Sequence, residues 1–254
     1  MTSRPLLFLA SLAATAASIP LITPTNTTPL TPRDVIAHDA VVGFPETVPT
    51  GSIGDLYLAY QPYLEVINGC VPFPAVDADG NTSGGLEPTG SPSGGCSSST
   101  GQIYARSTIS DGTASTYGNA IMYSWYFPKD SPSTGLGHRH DWEGVIIWLS
   151  DSSSTSAENI LAVCPSAHGD WNCETNASGG VSLEGSRALI RYYSVWPVNH
   201  QLGFSGDVGG VQPLVAWESL GEVVRGALED TDFGDANVPF KEGNWVANLQ
   251  GATY

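Results

Sequence analysis

From Ile103 onward, hydrophobic residues fall in short runs separated by clusters of Gly, Ser, Asp and Pro, at the regular spacing of strands in a sandwich or barrel. The clearest runs are residues 120–127, 144–149, 159–163, 188–196 and 211–217. Two of them, Ala-Ile-Met-Tyr-Ser-Trp-Tyr-Phe at 120–127 and Val-Ile-Ile-Trp-Leu at 145–149, are apolar on both alternating faces. That predicts central strands covered on both sides. One stretch has helical period instead. Leu220, Val223, Val224, Ala227 and Leu228 recur at i, i+3, i+4, i+7 and i+8, with Glu218, Glu222, Arg225 and Glu229 off the stripe. A helix is predicted to pack there on the sheet, weakened by Gly221 and Gly226 at about 1 kcal/mol each. A shorter helical turn at 55–60 is stopped by Pro62.

Composition narrows the class. In 254 residues, 29 Gly and 18 Pro occupy about a fifth of the chain, which argues against a helical bundle. The fold class predicted is all-β dominated, as one domain with a core that 41% hydrophobic residues can fill. Lys and Arg number 9 against 25 Asp and Glu, a formal net charge of −16. Nine cations cannot neutralise a phosphate backbone, so nucleic acid is excluded as a partner.

Residues 1–19 carry a basic Arg4, an apolar run from Leu6 to Ala17 and then small residues, the pattern of a secretory signal. The run is too short for a membrane span, which needs roughly 20 residues. Residues 20–33 form a Pro- and Thr-rich leader, read as disordered and open to trimming after Arg33, and 34–254 the folded domain. Loss of Arg4 takes the charge from −16 to −17. Asn26, Asn81 and Asn176 each open an Asn-X-Ser/Thr sequon, in keeping with a secreted glycoprotein. Cys70, Cys96, Cys164 and Cys173 are an even set for an oxidising compartment. Three pairings exist; nearest-neighbour pairing is favoured because Cys70 and Cys96 bracket a Gly-, Ser- and Pro-rich excursion and Cys164 and Cys173 a short loop. Metal ligation is the rival use, although neither pair has Cys-X-X-Cys spacing.

The densest chemistry lies in Lys129-Asp130-Ser131-Pro132-Ser133-Thr134-Gly135-Leu136-Gly137-His138-Arg139-His140-Asp141-Trp142-Glu143. The 14 residues from Asp130 to Glu143 hold three carboxylates and two imidazoles, in a chain with few ionisable groups. The stretch joins two apolar strands, so its Gly- and Pro-rich first half predicts a loop and its second half entry into a strand. Alternation then puts Asp141 and Glu143 on one face and Trp142 on the other, packing inward. Asp130 and His138 would join them only from a loop folded back over that face. Three carboxylates in one pocket resist ionisation unless a cation sits among them. Oxygen ligation favours Mg²⁺, Ca²⁺ or Mn²⁺, while the histidines leave Zn²⁺ or Fe²⁺ open. The competing reading is a solvated acidic loop around one core histidine. A second acidic set, Glu229, Asp230, Asp232 and Asp235, lacks the ligand spacing of a calcium loop and reads as a solvated face. His168-Gly169-Asp170-Trp171 reads as sandwich surface.

Residues 120–143, above all Gly137-His138-Arg139-His140-Asp141-Trp142-Glu143, resemble the hallmark of the necrosis- and ethylene-inducing peptide-like proteins (NLPs), secreted cytolysins of plant-associated microbes. The resemblance runs from about Val35 to the C-terminus. It implies a single-domain, actinoporin-like β-sandwich with a few peripheral helices and a cation, Mg²⁺ or Ca²⁺, in a solvent-facing cavity at one end. Carried over by position, Asp130 and Asp141 hold the metal directly. His138 and Glu143 complete the site through water or hydrogen bonds, with Arg139, His140 and Trp142 supporting the motif. Cys70 and Cys96 resemble the bridge of the type 1 branch, and Cys164 and Cys173 a second pair found in some members. A membrane-docking loop with Trp followed four residues later by His is matched by Trp196 and His200, with Asn199 standing where some members carry an acidic residue.

The resemblance further implies a target, the sugar head of glycosylinositol phosphorylceramide in the plant plasma membrane, and no enzymatic activity. A neutral sugar hydroxyl can replace water on a hard cation. A strongly acidic protein needs such a specific head-group site, because a basic patch is absent and an anionic bilayer repels it. Lysis by many shallowly bound copies, each a monomer in solution, would follow. The runner-up is a secreted cupin-like metalloenzyme, suggested by His138-Arg139-His140 and Glu143, but that Glu comes too early and no third His partner follows. In the family that the chain resembles, plant immune receptors also perceive the segment matching 120–143 as a microbial pattern, so a non-toxic immune-pattern protein is a third reading. A Ser-His-Asp hydrolase fails for want of a Gly-X-Ser-X-Gly elbow.

Overall fold

The structure, a computed structural model, describes residues 33–195 and 199–254. The signal segment, the leader and Trp196 therefore lie outside the described residues. In chain order the elements are β1 (Val35–Ile36), α1 (Ser52–Tyr60), β2 (Tyr63–Val66), β3 (Thr82–Ser83), β4 (Ile103–Ser107), α2 (Ala114–Tyr117), β5 (Asn119–Asp130), β6 (His138–Leu149), β7 (Ile160–Ala167), β8 (Asp170–Trp171), β9 (Glu174–Thr175), β10 (Leu183–Glu184), β11 (Arg187–Val195), β12 (Asn199–Phe204), β13 (Leu214–Ala216), α3 (Glu222–Asp230) and α4 (Glu242–Gly251).

The larger sheet has seven strands in the order β13-β4-β5-β6-β7-β8, with β9 also paired to β7. The smaller runs β10-β11-β12, with β2 alongside β11. Their inner faces meet where Phe127 of β5 stacks on Tyr192 of β11, ring centroids 3.9 Å apart. The result is the expected β-sandwich with few helices. The two runs apolar on both faces become β5 and β6, the central hairpin, and from Ala120 and His140 onward every residue of the two strands is buried. Trp125, Tyr123, Tyr126 and Phe127 are fully buried, at about 1.5–3 kcal/mol for each large apolar side chain removed from water. The outer face of the large sheet is covered partly by the segments around α3 and α4: Trp142 packs on Phe233 and Phe240, and Arg106 sits over the Trp245 ring.

The helix on the 220–228 stripe forms as α3, with Val224, Ala227 and Leu228 buried and Leu220 in the turn before it. The predicted turn at 55–60 is a longer helix, α1, ending before Pro62. The run at 211–217 yields only three residues of strand, β13, because Pro213 has no N–H for the ladder. Both cysteine pairs bridge as nearest neighbours, Cys70 to Cys96 and Cys164 to Cys173, and no cysteine is free. No helix among the described residues is long and apolar enough to cross a membrane.

Candidate metal centre

The loop between the two central strands is shorter than the sequence pattern predicts. β5 continues through Asp130 and β6 begins at His138, and these two residues form the last pair of the hairpin. Asp130 and His138 are thus strand ends, not parts of a loop folding back. Phe127 and Asp130 are three residues apart, a step that regular alternation would split between opposite faces. The irregularity between Phe127 and Lys129, with Lys129 facing both Arg139 and His140, absorbs the odd residue. His140 takes up the bend with φ 62°. Gly137, at φ 95°, closes the hairpin where a Cβ would strike the Asp130 carbonyl oxygen.

The shift in phase turns Asp130 and Asp141 toward the smaller sheet, where each finds a partner, while Glu143 is met from the neighbouring strand β7 of its own sheet. The Tyr192 hydroxyl donates to Asp141 Oδ2 at 2.7 Å. His200 Nδ1 lies 2.6 Å from Asp130 Oδ1, and the His200 backbone N–H donates to both Asp130 oxygens at 3.1 Å. Ser166 Oγ donates to Glu143 Oε2. His138 places Nδ1 against the His140 carbonyl at 2.8 Å, so that nitrogen carries a proton, and Nε2 lies 3.6 Å from Asp130 Oδ2.

Burial and mutual repulsion set the electrostatics. Asp141 is pushed from 3.8 up to about 7, first by desolvation and next by the charge of Asp130. Glu143 is pushed well above the usual carboxylate range by the same burial and by Asp141. One tyrosine hydroxyl and one serine hydroxyl do not offset that cost. Beside them Asn199 Oδ1 is buried without a hydrogen-bond partner. An under-neutralised carboxylate pair and an orphaned amide oxygen form a hard-oxygen donor set, which suits Mg²⁺ or Ca²⁺. Among the described residues no three His, Cys, Asp or Glu side chains are gathered tightly enough to hold a metal alone. A cation here would be held by Asp130 and Asp141, with water in its remaining positions, as Mg²⁺ commonly is.

The other motif residues have separate tasks. His140 is wedged between Tyr126, whose hydroxyl is 2.6 Å from its Nδ1, and Phe233, and burial holds its pKa down at about 4. It is a neutral packing residue. Arg139 turns away from the carboxylates, donating to the Gly84 carbonyl at 2.6 Å and pairing with Glu87 on the disulfide-closed excursion. Lys129, almost fully buried, donates to the carbonyls of Thr89 and Ser91 at 3.1 and 3.0 Å and fixes the same excursion to the hairpin. Trp142 takes the face opposite Asp141 as alternation requires, but that is the outer face of the large sheet, where it is buried under Phe233 and Phe240 and not in the space between the sheets.

His200, which the docking-loop spacing places beside Trp196 on a membrane-facing surface, is 1% exposed and is the second residue of β12. Its Nε2 lies 3.1 Å from Asn68 Oδ1, and Gly69 leaves the space that its ring occupies. It positions Asp130 from the opposite sheet. Sequence reasoning missed Tyr192, Ser166 and Asn68, and no local spacing marks them, because Tyr192 and Asn68 reach the site across the sandwich and Ser166 from the adjacent strand β7.

These groups open onto a cavity of about 400 Å³ lined by His138, Asp141, Trp142, Glu143, Ser166 and Asn199, and further out by Trp171, Asp235, Asn237, Asn244 and Asn248. A two-sheet sandwich with an acid-lined cavity of this kind is a toxin fold. It superposes with a TM-score of 0.79 and 46% identity on a structure described as a toxin fold as basis for microbial attack and plant defense, over 87% of this chain and all of that one. The family model of necrosis inducing protein (NPP1) matches residues 54–252, and the chain belongs to this necrosis-inducing NLP family. It is 48% identical to NLP effector protein 10 of Phytophthora capsici, over 87% of this chain and 92% of the relative. NLPPya in complex with mannosamine matches at TM-score 0.78 and 47% identity, and in complex with glucosamine at 0.77 and 46%, each over 87% of this chain and 99% of that one. Non-toxic HaNLP3 matches at 0.77 and 38% identity, over 85% of this chain and 98% of that one.

Proposed function

We propose that this protein is a secreted, non-enzymatic cytolysin that binds the sugar head group of a plant plasma-membrane sphingolipid, glycosylinositol phosphorylceramide, through a divalent cation and permeabilises the membrane. The observation that carries the proposal is the pair Asp130 and Asp141: two buried carboxylates, Asp141 raised to about 7 first by burial and next by the charge of Asp130, with Asp141 lining an open cavity. The cation, when bound, supplies exchangeable positions for neutral sugar oxygens. Around it the chain's own residues divide the work. His200 and Tyr192 hold the carboxylates, His138 lines the cavity beside Asp130, and Asn199 offers an amide oxygen. The amino-sugar complexes of NLPPya support a carbohydrate ligand. Relatives that are Phytophthora effectors support export by residues 1–19. Trp196 would meet the interfacial zone where indole rings are favoured.

Release of calcein from vesicles tests the proposal. Leakage is expected only with the plant sphingolipid and added Mg²⁺ or Ca²⁺, and leakage that persists in EDTA or without the sphingolipid would overturn it. Non-toxic HaNLP3, at 38% identity, makes the immune-pattern reading a definite alternative. Because residues 120–130 are buried in β5, a receptor could reach that peptide only after unfolding or proteolysis. Heat-denatured protein that triggers immune responses, from a chain that never lyses vesicles, would select that reading.

A further inference from the structure

We propose that the arm of the cavity remote from the carboxylates is a second sugar subsite, which takes the next ring of an oligosaccharide whose first ring sits at the carboxylate end. The proposal rests on the reading of the cavity as a carbohydrate site and extends it. The arm is bounded by α4, by the segment that precedes it and by β8. On α4, Asn244 and Asn248 stand one turn apart, and each spends one amide N–H on a backbone carbonyl, to Val238 at 2.9 Å and Pro239 at 2.7 Å. The two amides are thereby oriented, and each retains a carbonyl oxygen and a second N–H. Asp235 and Asn237 are exposed and make no side-chain hydrogen bond among the described residues. Trp171, half-buried, adds an indole.

A buried polar atom supplies an independent observation. Trp142 lines the same cavity and is 7% exposed, yet its Nε1–H has no partner. An unmet buried donor costs about 1–3 kcal/mol, a penalty that a ligand oxygen would relieve. Trp142 packs against Phe233 and Phe240, which flank the 235–239 segment, so this donor belongs to the amide-lined side. Side-chain amides both donate to and accept from adjacent hydroxyls, a carboxylate accepts from them, and an indole covers the apolar face of a ring. Among the described residues no Lys or Arg lines the cavity, which disfavours an anionic sugar ring. At about 400 Å³ the cavity lies within the size range of sites for ligands larger than a single sugar.

Titration calorimetry in saturating Mg²⁺ tests this with glucosamine and a panel of disaccharides in which glucosamine is joined to a hexose through each common linkage. At least one disaccharide should bind about tenfold tighter than glucosamine. Asp235→Ala combined with Asn237→Ala should return that disaccharide to the glucosamine level while glucosamine binding and the melting temperature stay unchanged. In ¹⁵N-tryptophan NMR spectra the Trp142 indole N–H should shift with the disaccharide and not with glucosamine. If no disaccharide exceeds glucosamine, or the double variant weakens both sugars equally, the subsite is overturned while the carboxylate-end site stands. Failure of every sugar, glucosamine included, would overturn the carbohydrate reading and the subsite together.

Discussion

Replacing Asp141 with Asn should stabilise the cation-free protein while abolishing its response to cations. Asp141 is raised from 3.8 to about 7 in the folded chain by burial and by Asp130. An aspartate with a folded pKa above its unfolded one loses its proton first in the unfolded state. It contributes nothing below about pH 4; stability then falls by about 1.4 kcal/mol per pH unit up to pH 7, and above that the whole penalty stands. The sum is on the order of 4 kcal/mol, or roughly 10 °C in melting temperature for a domain of this size. Asn keeps an oxygen to accept the Tyr192 hydroxyl and carries no charge to repel Asp130. Scanning calorimetry in EDTA should therefore show Asp141→Asn melting well above wild type at about pH 7.5 and level with it near pH 4. Millimolar Mg²⁺ or Ca²⁺ should raise the wild type and leave the variant unmoved. A variant less stable than wild type at pH 7.5 in EDTA would refute this account of the carboxylate pair.

Other substitutions probe the supports of the site. His140, held at about 4 against 6.5 in the unfolded chain, works in the opposite direction: its stability is complete above about pH 6.5 and is lost as pH falls toward 4, by roughly 3 kcal/mol. His140→Gln should flatten that acid limb in denaturant melts. His200→Ala removes the imidazole from a buried carboxylate and should cost about 3 kcal/mol in urea unfolding while weakening cation binding in calorimetry. Gly137→Ala forces a side chain onto the Asp130 carbonyl at φ 95° and should destabilise the hairpin by about 1–3 kcal/mol, read as a lower melting temperature. Cys70→Ser with Cys96→Ser opens a loop of sequence separation 26 and should cost about 3.5 kcal/mol by chain entropy in the same assay.

Much of the sandwich was legible because its central hairpin is apolar on both faces over 120–127 and 145–149, a pattern that only doubly covered strands produce. The amphipathic stripe of α3 was equally plain. α4 was not, since Glu-Gly-Asn-Trp-Val-Ala-Asn-Leu-Gln-Gly buries only Trp245 and Leu249 and shows little periodicity. β12 escaped notice because it opens on polar Asn199 and His200, the second of which is buried through partners on distant segments. In the site, strand alternation correctly put Asp141 and Glu143 on one face. The placement of Asp130 turned on a one-residue bulge that has no composition signal, and the role of His200 on a contact 70 residues away. Side chains that cross from one sheet to the other leave no trace in local spacing.

Anomalous diffraction from crystals grown with Mn²⁺ in place of Mg²⁺ tests the central claim most directly. The account predicts a single strong peak within about 2.5 Å of carboxylate oxygens from both Asp130 and Asp141, displaced from neither by glucosamine. Density elsewhere on the surface, or none between these two side chains, would contradict it.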